Sequence, residues 1–301
     1  MPVENISPGV WRLPRLRMLA GWILAACVAV CVWMMETRFA GLDVEHVTVA
    51  DTPVTLYRPA GSAALPPVIV AHGFGGSRQM MDQISVSIAR QGFAVASVDL
   101  LGHGRNGGAL LQDITRIEGT TQQLVTSIER VADAIVARPD TVGPVSYVGH
   151  SMATDVIIRA AESRDDVGGV VAISMYSEAI TERDPAALLV VSGESEGHLR
   201  EAGLRSVQQI DPGAAEGETV VADGVKRRTV VAPYVGHVGV LYSGETLGEA
   251  TTWLRDVTGQ GREAPLDRTG VVAGVLLVAL VLLAWPMAGL LPRRFEEEHP
   301  V

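Results

Sequence analysis

Five residues, Gly149-His150-Ser151-Met152-Ala153, combine a candidate nucleophile with small neighbours at a junction between two patterns. Upstream lies "PVSYV", a short β-branched run suited to a buried strand. Downstream, "ATDVIIRAAES" carries apolar residues at helical spacing. A serine on a tight strand-to-helix turn has its hydroxyl pushed clear of the sheet, and small flanking residues let the backbone take that turn. The chemistry this predicts is nucleophilic attack on a carbonyl, through an acyl-enzyme. The last place of the G-x-S-x-G pattern holds Ala153, which adds one methyl at a close helix–strand contact.

Acyl transfer builds negative charge on the carbonyl oxygen, which calls for fixed donors at about 3 Å. The loop His72-Gly73-Phe74-Gly75-Gly76-Ser77 follows a strand and can supply one, so the expected donors are the amides of Phe74 and Met152. A base is also needed, and the chain has seven histidines. His46 and His299 lie outside the strand–helix pattern, His72 and His103 sit in glycine loops ahead of the serine, and His150 belongs to the turn itself. His198 and His237 remain. His237 follows the strand "RRTVVAP" and the loop "YVG", from which a ring could swing over the serine. His198 lies two residues past Glu196, too close for that carboxylate to sit behind it easily. His237 is therefore the expected base, in the chain order serine, acid, histidine.

The elements that must hold these residues can be read in sequence. "VEHVTVADTPVTLYRPA" predicts a hairpin around Asp51-Thr52-Pro53. "PVIVAHGFGGS" predicts a buried strand breaking into a glycine loop, and "RQMMDQISVSIARQ" a helix ending at Gly92. "FAVASVDL" is the next strand, followed by the loop "LGHGRNGG" and a helix from about Gly119 to Arg138. After the serine turn come strands in "VGGVVAIS" and "AALLVVSG", a helix in "HLREAGLRSVQQI", a hairpin turning at Asp223-Gly224, and a helix in "SGETLGEATTWLRDV". Strands this apolar, alternating with helices, mean a parallel sheet covered on both faces, with ligands at the carboxyl ends of the strands.

The series "HGFGGS", "DLLGHGRN", "GHSMA", "SGESE" and "GHVG" resembles the α/β-hydrolase family from Val54 to Val257. The resemblance implies an α/β fold with an eight-stranded, mostly parallel sheet whose first strands are antiparallel. It also implies Ser151 as nucleophile and His237 as base. The family's G-x-x-D strand end matches Gly193 to Glu196, which makes Glu196 the acid, with Glu194 as the competing candidate. Asp99 to Gly104 matches a stretch that holds its own loop together. Only about a dozen residues separate "VGGVVAIS" from "AALLVVSG", so no large cap fits there. An open site is expected, shaded by "GALLQDITRIEG", with Leu110, Leu111, Met152, Met175 and Tyr176 as an apolar acyl pocket. The expected activity is that of a carboxylesterase or lipase-like enzyme acting on a small-molecule or lipid-derived ester. A peptidase, thioesterase or acyltransferase would use the same triad, and a non-catalytic scaffold is the reading from another class.

Composition sets the surroundings. Of 301 residues, 48% are hydrophobic, enough for a core, and mean hydropathy is +0.25. Two uncharged runs account for it: Met18 to Met35, about 27 Å as a helix, and Thr269 to Leu291. The expected organisation is a short N-terminus (1–17), a span (18–35), the hydrolase-like domain (36–268), a second span (269–291) and a tail (292–301). Arg12, Arg15 and Arg17 before the first span, and Arg293 and Arg294 after the second, predict cytoplasmic termini with the domain across the membrane. "LAAC" at Leu24 to Cys27 offers a lipoprotein signal as the alternative, though the chain stays apolar to Met35. Gly270 and Gly274 form a small-xxx-small pair in the second span. Both cysteines, Cys27 and Cys31, lie in the first span, so the domain has no thiol chemistry. A net charge of −10 argues against nucleic acid. No metal-ligand spacing, Walker loop or dinucleotide fingerprint occurs, and no cofactor is expected; membrane lipids are the expected surroundings of the two spans.

Overall fold

The computed structural model describes residues 12–110 and 117–288. Phe39–Arg268 form one compact unit, and the two terminal helices belong to a second. Nine strands make up the sheet of the first unit: β1 (Leu42–Val49), β2 (Thr52–Pro59), β3 (Pro67–Ala71), β4 (Ala94–Val98), β5 (Val145–His150), β6 (Val167–Ile173), β7 (Ala187–Gly193), β8 (Thr219–Ala222) and β9 (Val225–Ala232). Their spatial order is β1-β2-β4-β3-β5-β6-β7-β9-β8. From β4 through β9 every pairing is parallel, while β1, β2 and β8 join antiparallel at the flanks.

The sheet has one strand more than the eight that the resemblance implies. The addition is β8, the outer arm of the hairpin read at Asp223-Gly224. Asp223 and Gly224 both take positive φ (49° and 82°), as a two-residue turn between right-twisted strands requires. The first hairpin turns one residue earlier than its expected centre, at Ala50 and Asp51 (φ 46° and 65°), with Val49 paired to Thr52.

Both faces of the central strands are buried, and these strands divide their residues by the two-residue repeat. Ile69, Ala71, Tyr147 and Val170 face a core shared with Leu124 and Ile128 of α3 (Gln122–Val136) and Ile157 of α4 (Ala153–Glu162). Val68, Val70, Val148 and Val171 face the opposite core, closed by Ile84 and Ile88 of α2 (Asp82–Arg90) and by Leu247 and Leu254 of α6 (Gly244–Thr258). This is why the strands read as continuous apolar runs. A further helix, α5 (Gly197–Gln208), approaches β7 and β9 closely at Gly203, where a Cβ would stand 2.6 Å from Thr229 Oγ1 and 3.0 Å from Val190.

The second unit pairs α1 (Arg12–Glu36) with α7 (Thr269–Met287). The helix α1 begins ahead of the apolar run at Met18, because the arginines and leucines before it are good helix formers. Arg17 Nε donates to the Trp285 carbonyl at 3.1 Å, and its guanidinium lies 5.5 Å from the centre of that indole. The helices meet at Gly21, where a Cβ would be 3.3 Å from Pro286, whereas Gly274 faces open space. Both helices are long and apolar enough to cross a bilayer, a test that a signal sequence near the N-terminus also passes.

Candidate active site

The parallel strands bring several of the chemistry-bearing residues to one edge. Ser151 follows β5 directly and takes φ 53°, a left-handed conformation that costs a non-glycine residue energy. Three bonds hold it there. Its amide donates to Ile173 O at 2.9 Å, while Thr154 gives both its amide (2.8 Å) and its hydroxyl (2.6 Å) to Ser151 O. Gly149 cannot carry a side chain, since a Cβ would lie 2.8 Å from Ile157 and 2.9 Å from Ala153 O. Ala153, the departure from the glycine pattern, is fully buried at the start of α4, and its methyl is part of the core.

His237 lies in the loop after β9, and its Nε2 is 2.9 Å from Ser151 Oγ. Its Nδ1 is 2.6 Å from Glu196 Oε1. A carboxylate only accepts, so Nδ1 carries the hydrogen and Nε2 is left to accept from the serine hydroxyl. Glu196 is buried in the turn after β7. Its second oxygen accepts the Ser174 hydroxyl at 2.8 Å and the Gly193 amide at 2.6 Å. Glu194, the competing acid, is exposed, and its Oε2 accepts the Tyr234 amide at 2.8 Å. His198, the competing base, is fully exposed on α5 beside Glu201.

The turn after β7 and the loop after β9 are laced together. Glu194 N donates to Ala232 O at 2.9 Å, and both the amide and the hydroxyl of Ser195 reach Val235 O at 3.3 Å. Tyr234 takes φ 61° to meet Glu194. Gly193 and Gly236 are needed for the approach: a Cβ on either would stand 2.7 Å from Val235 O or from Ser195 Oγ.

The glycine loop after β3 abuts the serine turn. A Cβ on Gly73 would be 3.0 Å from Ser151 Cβ and 2.9 Å from His150 Nδ1, so the loop that carries Phe74 lies against the serine turn. The amides of Phe74 and Met152 have no hydrogen-bond partner among the described residues. His72 anchors this loop. Its Nε2 accepts the Leu100 amide at 3.1 Å, so its Nδ1 donates to Gly73 O at 2.8 Å, and burial holds the ring below the ordinary histidine range. Asp99, just past the end of β4, anchors it by accepting from the amides of Arg78 (2.8 Å) and Arg105 (3.0 Å) and pairing with the buried Arg78 guanidinium.

The pocket residues do not all reach one surface. Tyr176 and the Phe74 ring are exposed, and Leu110 and Met152 are half-buried. Met175, expected in the acyl pocket, is 1% exposed and belongs to the core that α3 and α4 help form, so it offers no open surface there. Leu111 lies outside the described residues, as does half of the segment expected to shade the site. Ser174 was not among the expected site residues. Its only signal in sequence is a hydroxyl closing the apolar strand "VGGVVAI", and its φ of 51° is visible only in three dimensions. Among the described residues, no group of histidine, cysteine, aspartate and glutamate side chains could hold a metal ion.

The profile of the family described as serine aminopeptidase, S33, matches residues 64–195, a stretch that includes the serine turn and stops before Glu196 and His237. A dienelactone hydrolase from Anabaena variabilis superimposes with a TM-score of 0.55 at 21% identity, covering 72% of this chain and 98% of that one. A CIB-like hydrolase from Thermoplasma acidophilum gives 0.55 at 17%, covering 71% and 98%. An esterase from Pyrococcus furiosus gives 0.52 at 14%, covering 72% and 93%. No curated protein matches the chain by sequence. Identities this low speak for the fold, and the strand order agrees with them: the chain has the α/β-hydrolase fold, and residues 64–195 are similar to a serine hydrolase profile.

Proposed function

We propose that this chain is a serine hydrolase cleaving carboxylic esters through an acyl-enzyme on Ser151. The observation that carries the reading is the unbroken relay from Ser151 Oγ to His237 Nε2 (2.9 Å) and from His237 Nδ1 to Glu196 (2.6 Å). His237 takes the serine proton as Oγ attacks the ester carbonyl, and the Phe74 and Met152 amides receive the developing oxyanion. Glu196 fixes the tautomer and stabilises the imidazolium, which then protonates the leaving alcohol. Water attacks the acyl-enzyme by the same route in reverse.

Ester cleavage is favoured over other acyl transfers because two of the similar structures are a dienelactone hydrolase and an esterase. The matching profile's description favours a second reading, amide cleavage at a peptide N-terminus. A fluorophosphonate probe and matched p-nitrophenyl ester, anilide and thioester substrates separate these. Wild type should be labelled and prefer the ester, while Ser151→Ala should lose labelling and at least about three orders of magnitude in kcat. Labelling that survives Ser151→Ala would remove the nucleophile. In the same reading, the two apolar helices anchor the protein among membrane lipids, with the domain outside the cytoplasm.

A further inference from the structure

We infer that His150 is a positioning residue whose side chain fixes the main chain of the base, His237, against the nucleophile. The inference rests on the triad reading above and concerns how that triad is kept in register. His150 is 3% exposed, and its Nε2 lies 2.8 Å from the backbone oxygen of His237. A carbonyl only accepts, so Nε2 carries the hydrogen and donates. Nδ1 is then a bare acceptor, buried with no partner among the described residues. Burial pushes this imidazole down to about 4, so it stays neutral, and the Nε2–H tautomer persists, across the physiological range.

The orphaned nitrogen is what makes the assignment more than packing. An unpaired buried acceptor is destabilising. A phenyl ring would fill the same space without it. What imidazole adds is the Nε2 donor, and that donor is spent on His237. The other ties of the base loop stop short: Glu194 reaches Tyr234, Ser195 reaches Val235, and Val240 N returns to Gly236 O. His150 reaches the base's own peptide. Because it is also the residue before Ser151, one hydrogen bond links nucleophile and base across 87 positions of sequence. The two imidazoles lie 4.9 Å apart, and Gly73 sits close enough to the His150 ring that a Cβ on it would stand 2.9 Å from Nδ1. The charged or titratable groups around it are His237, Glu196 and His72.

The test compares His150→Phe, which keeps the ring's bulk, with His150→Gln, whose Nε2 can donate at a similar reach. Both are made in the full chain and assayed on p-nitrophenyl butyrate. Phe should lower kcat by about 10- to 100-fold with KM within about twofold, and Gln should restore most of the loss. Wild-type kcat in the Phe variant, or equal impairment in both at equal melting temperature, would overturn the proposal. Hydrogen exchange of the segment 234–241 supplies a readout independent of turnover. It should quicken by about tenfold or more in Phe but not in Gln, and unchanged exchange would also overturn the proposal. A wild type inert to fluorophosphonate would defeat the triad reading instead, and the exchange comparison would still decide whether His150 holds the loop.

Discussion

Two glutamates of one turn, Glu194 and Glu196, have opposite surroundings, and under the proposed mechanism that difference assigns the acid to Glu196. Glu196 is buried with three hydrogen bonds to its carboxylate, one of them from His237, whereas Glu194 faces solvent and braces Tyr234. Glu196→Gln leaves a donor or an unpaired amide where a charge is needed, so kcat should fall by about 10²- to 10⁴-fold; Glu194→Gln should cost less than about threefold, both read on p-nitrophenyl butyrate. A second prediction at this scale concerns pH and stability. His72 and His150 are both buried and held below the ordinary histidine range, His150 at about 4. The unfolded chain binds a proton at each near pH 6.5, and the folded chain refuses it at His150 until about 4. Stability should therefore fall as pH drops from about 6.5 towards 4, by at most about 1.4 kcal/mol per pH unit for each group. Urea melts at pH 7, 6 and 5 should show a shallower decline in His150→Phe than in wild type. The candidates Ser151 and His237 stand out in the sequence because each sits beside small residues after a strand, and Glu196 only because the resemblance implies an acid at that place. Ser174 and the His150–His237 bond could not be. A lone serine after a strand carries no pattern, and a contact across 87 positions exists only once the sheet forms.

At the scale of elements, the site depends on how closely loops approach one another at the carboxyl edge of the sheet. Gly73 is the tightest case on the oxyanion side. A Cβ there meets His150 Nδ1 at 2.9 Å, Ser151 Cβ at 3.0 Å and His150 O at 3.2 Å, and the last of these is backbone that cannot step aside cheaply. Gly73→Ala should push the Phe74 amide away from the nucleophile and lower kcat at least about tenfold. Gly248→Ala, at an open position inside α6, should leave kcat unchanged and add about 0.5–1 kcal/mol of stability in a urea melt. The strands β3 to β7 were legible as apolar runs because burial on both faces removes the polar half of the usual alternation. What the runs conceal is which residues point where. Met175 continues the apolar character of β6 beyond its last paired residue, and only the turn of the chain at Ser174 sends it into the core instead of the acyl pocket. The ninth strand escaped the count for a related reason: β8 is a short edge strand with exposed and half-buried residues, legible as one arm of a hairpin but not as an addition to the sheet.

At the scale of the whole molecule, the proposed chemistry and the two apolar helices fall into separate units. Every contact named above for Ser151, His237, Glu196 and the glycine loop is made within Phe39–Arg268. The helices outside it have mean hydropathies of 2.2 and 2.4, and 6% of each apolar window is buried, so most of that apolar surface is uncovered, as the proposed anchoring requires. Burial of apolar surface is worth roughly 25 cal/mol per Å², so helices this apolar should hold the chain in a bilayer far more firmly than surface charge could. The full chain should therefore remain in the membrane fraction through high salt and alkaline carbonate and leave only with detergent. Residues 39–268 expressed alone should be soluble and keep kcat on p-nitrophenyl butyrate within about twofold, because no group in the relay is lost. Release of the full chain by carbonate would remove the membrane assignment. A truncated domain that folds but loses turnover would show that the terminal helices supply something the relay needs. A reporter fused after Val301 fixes the orientation: activity on the cytoplasmic side is expected from the arginines flanking both spans.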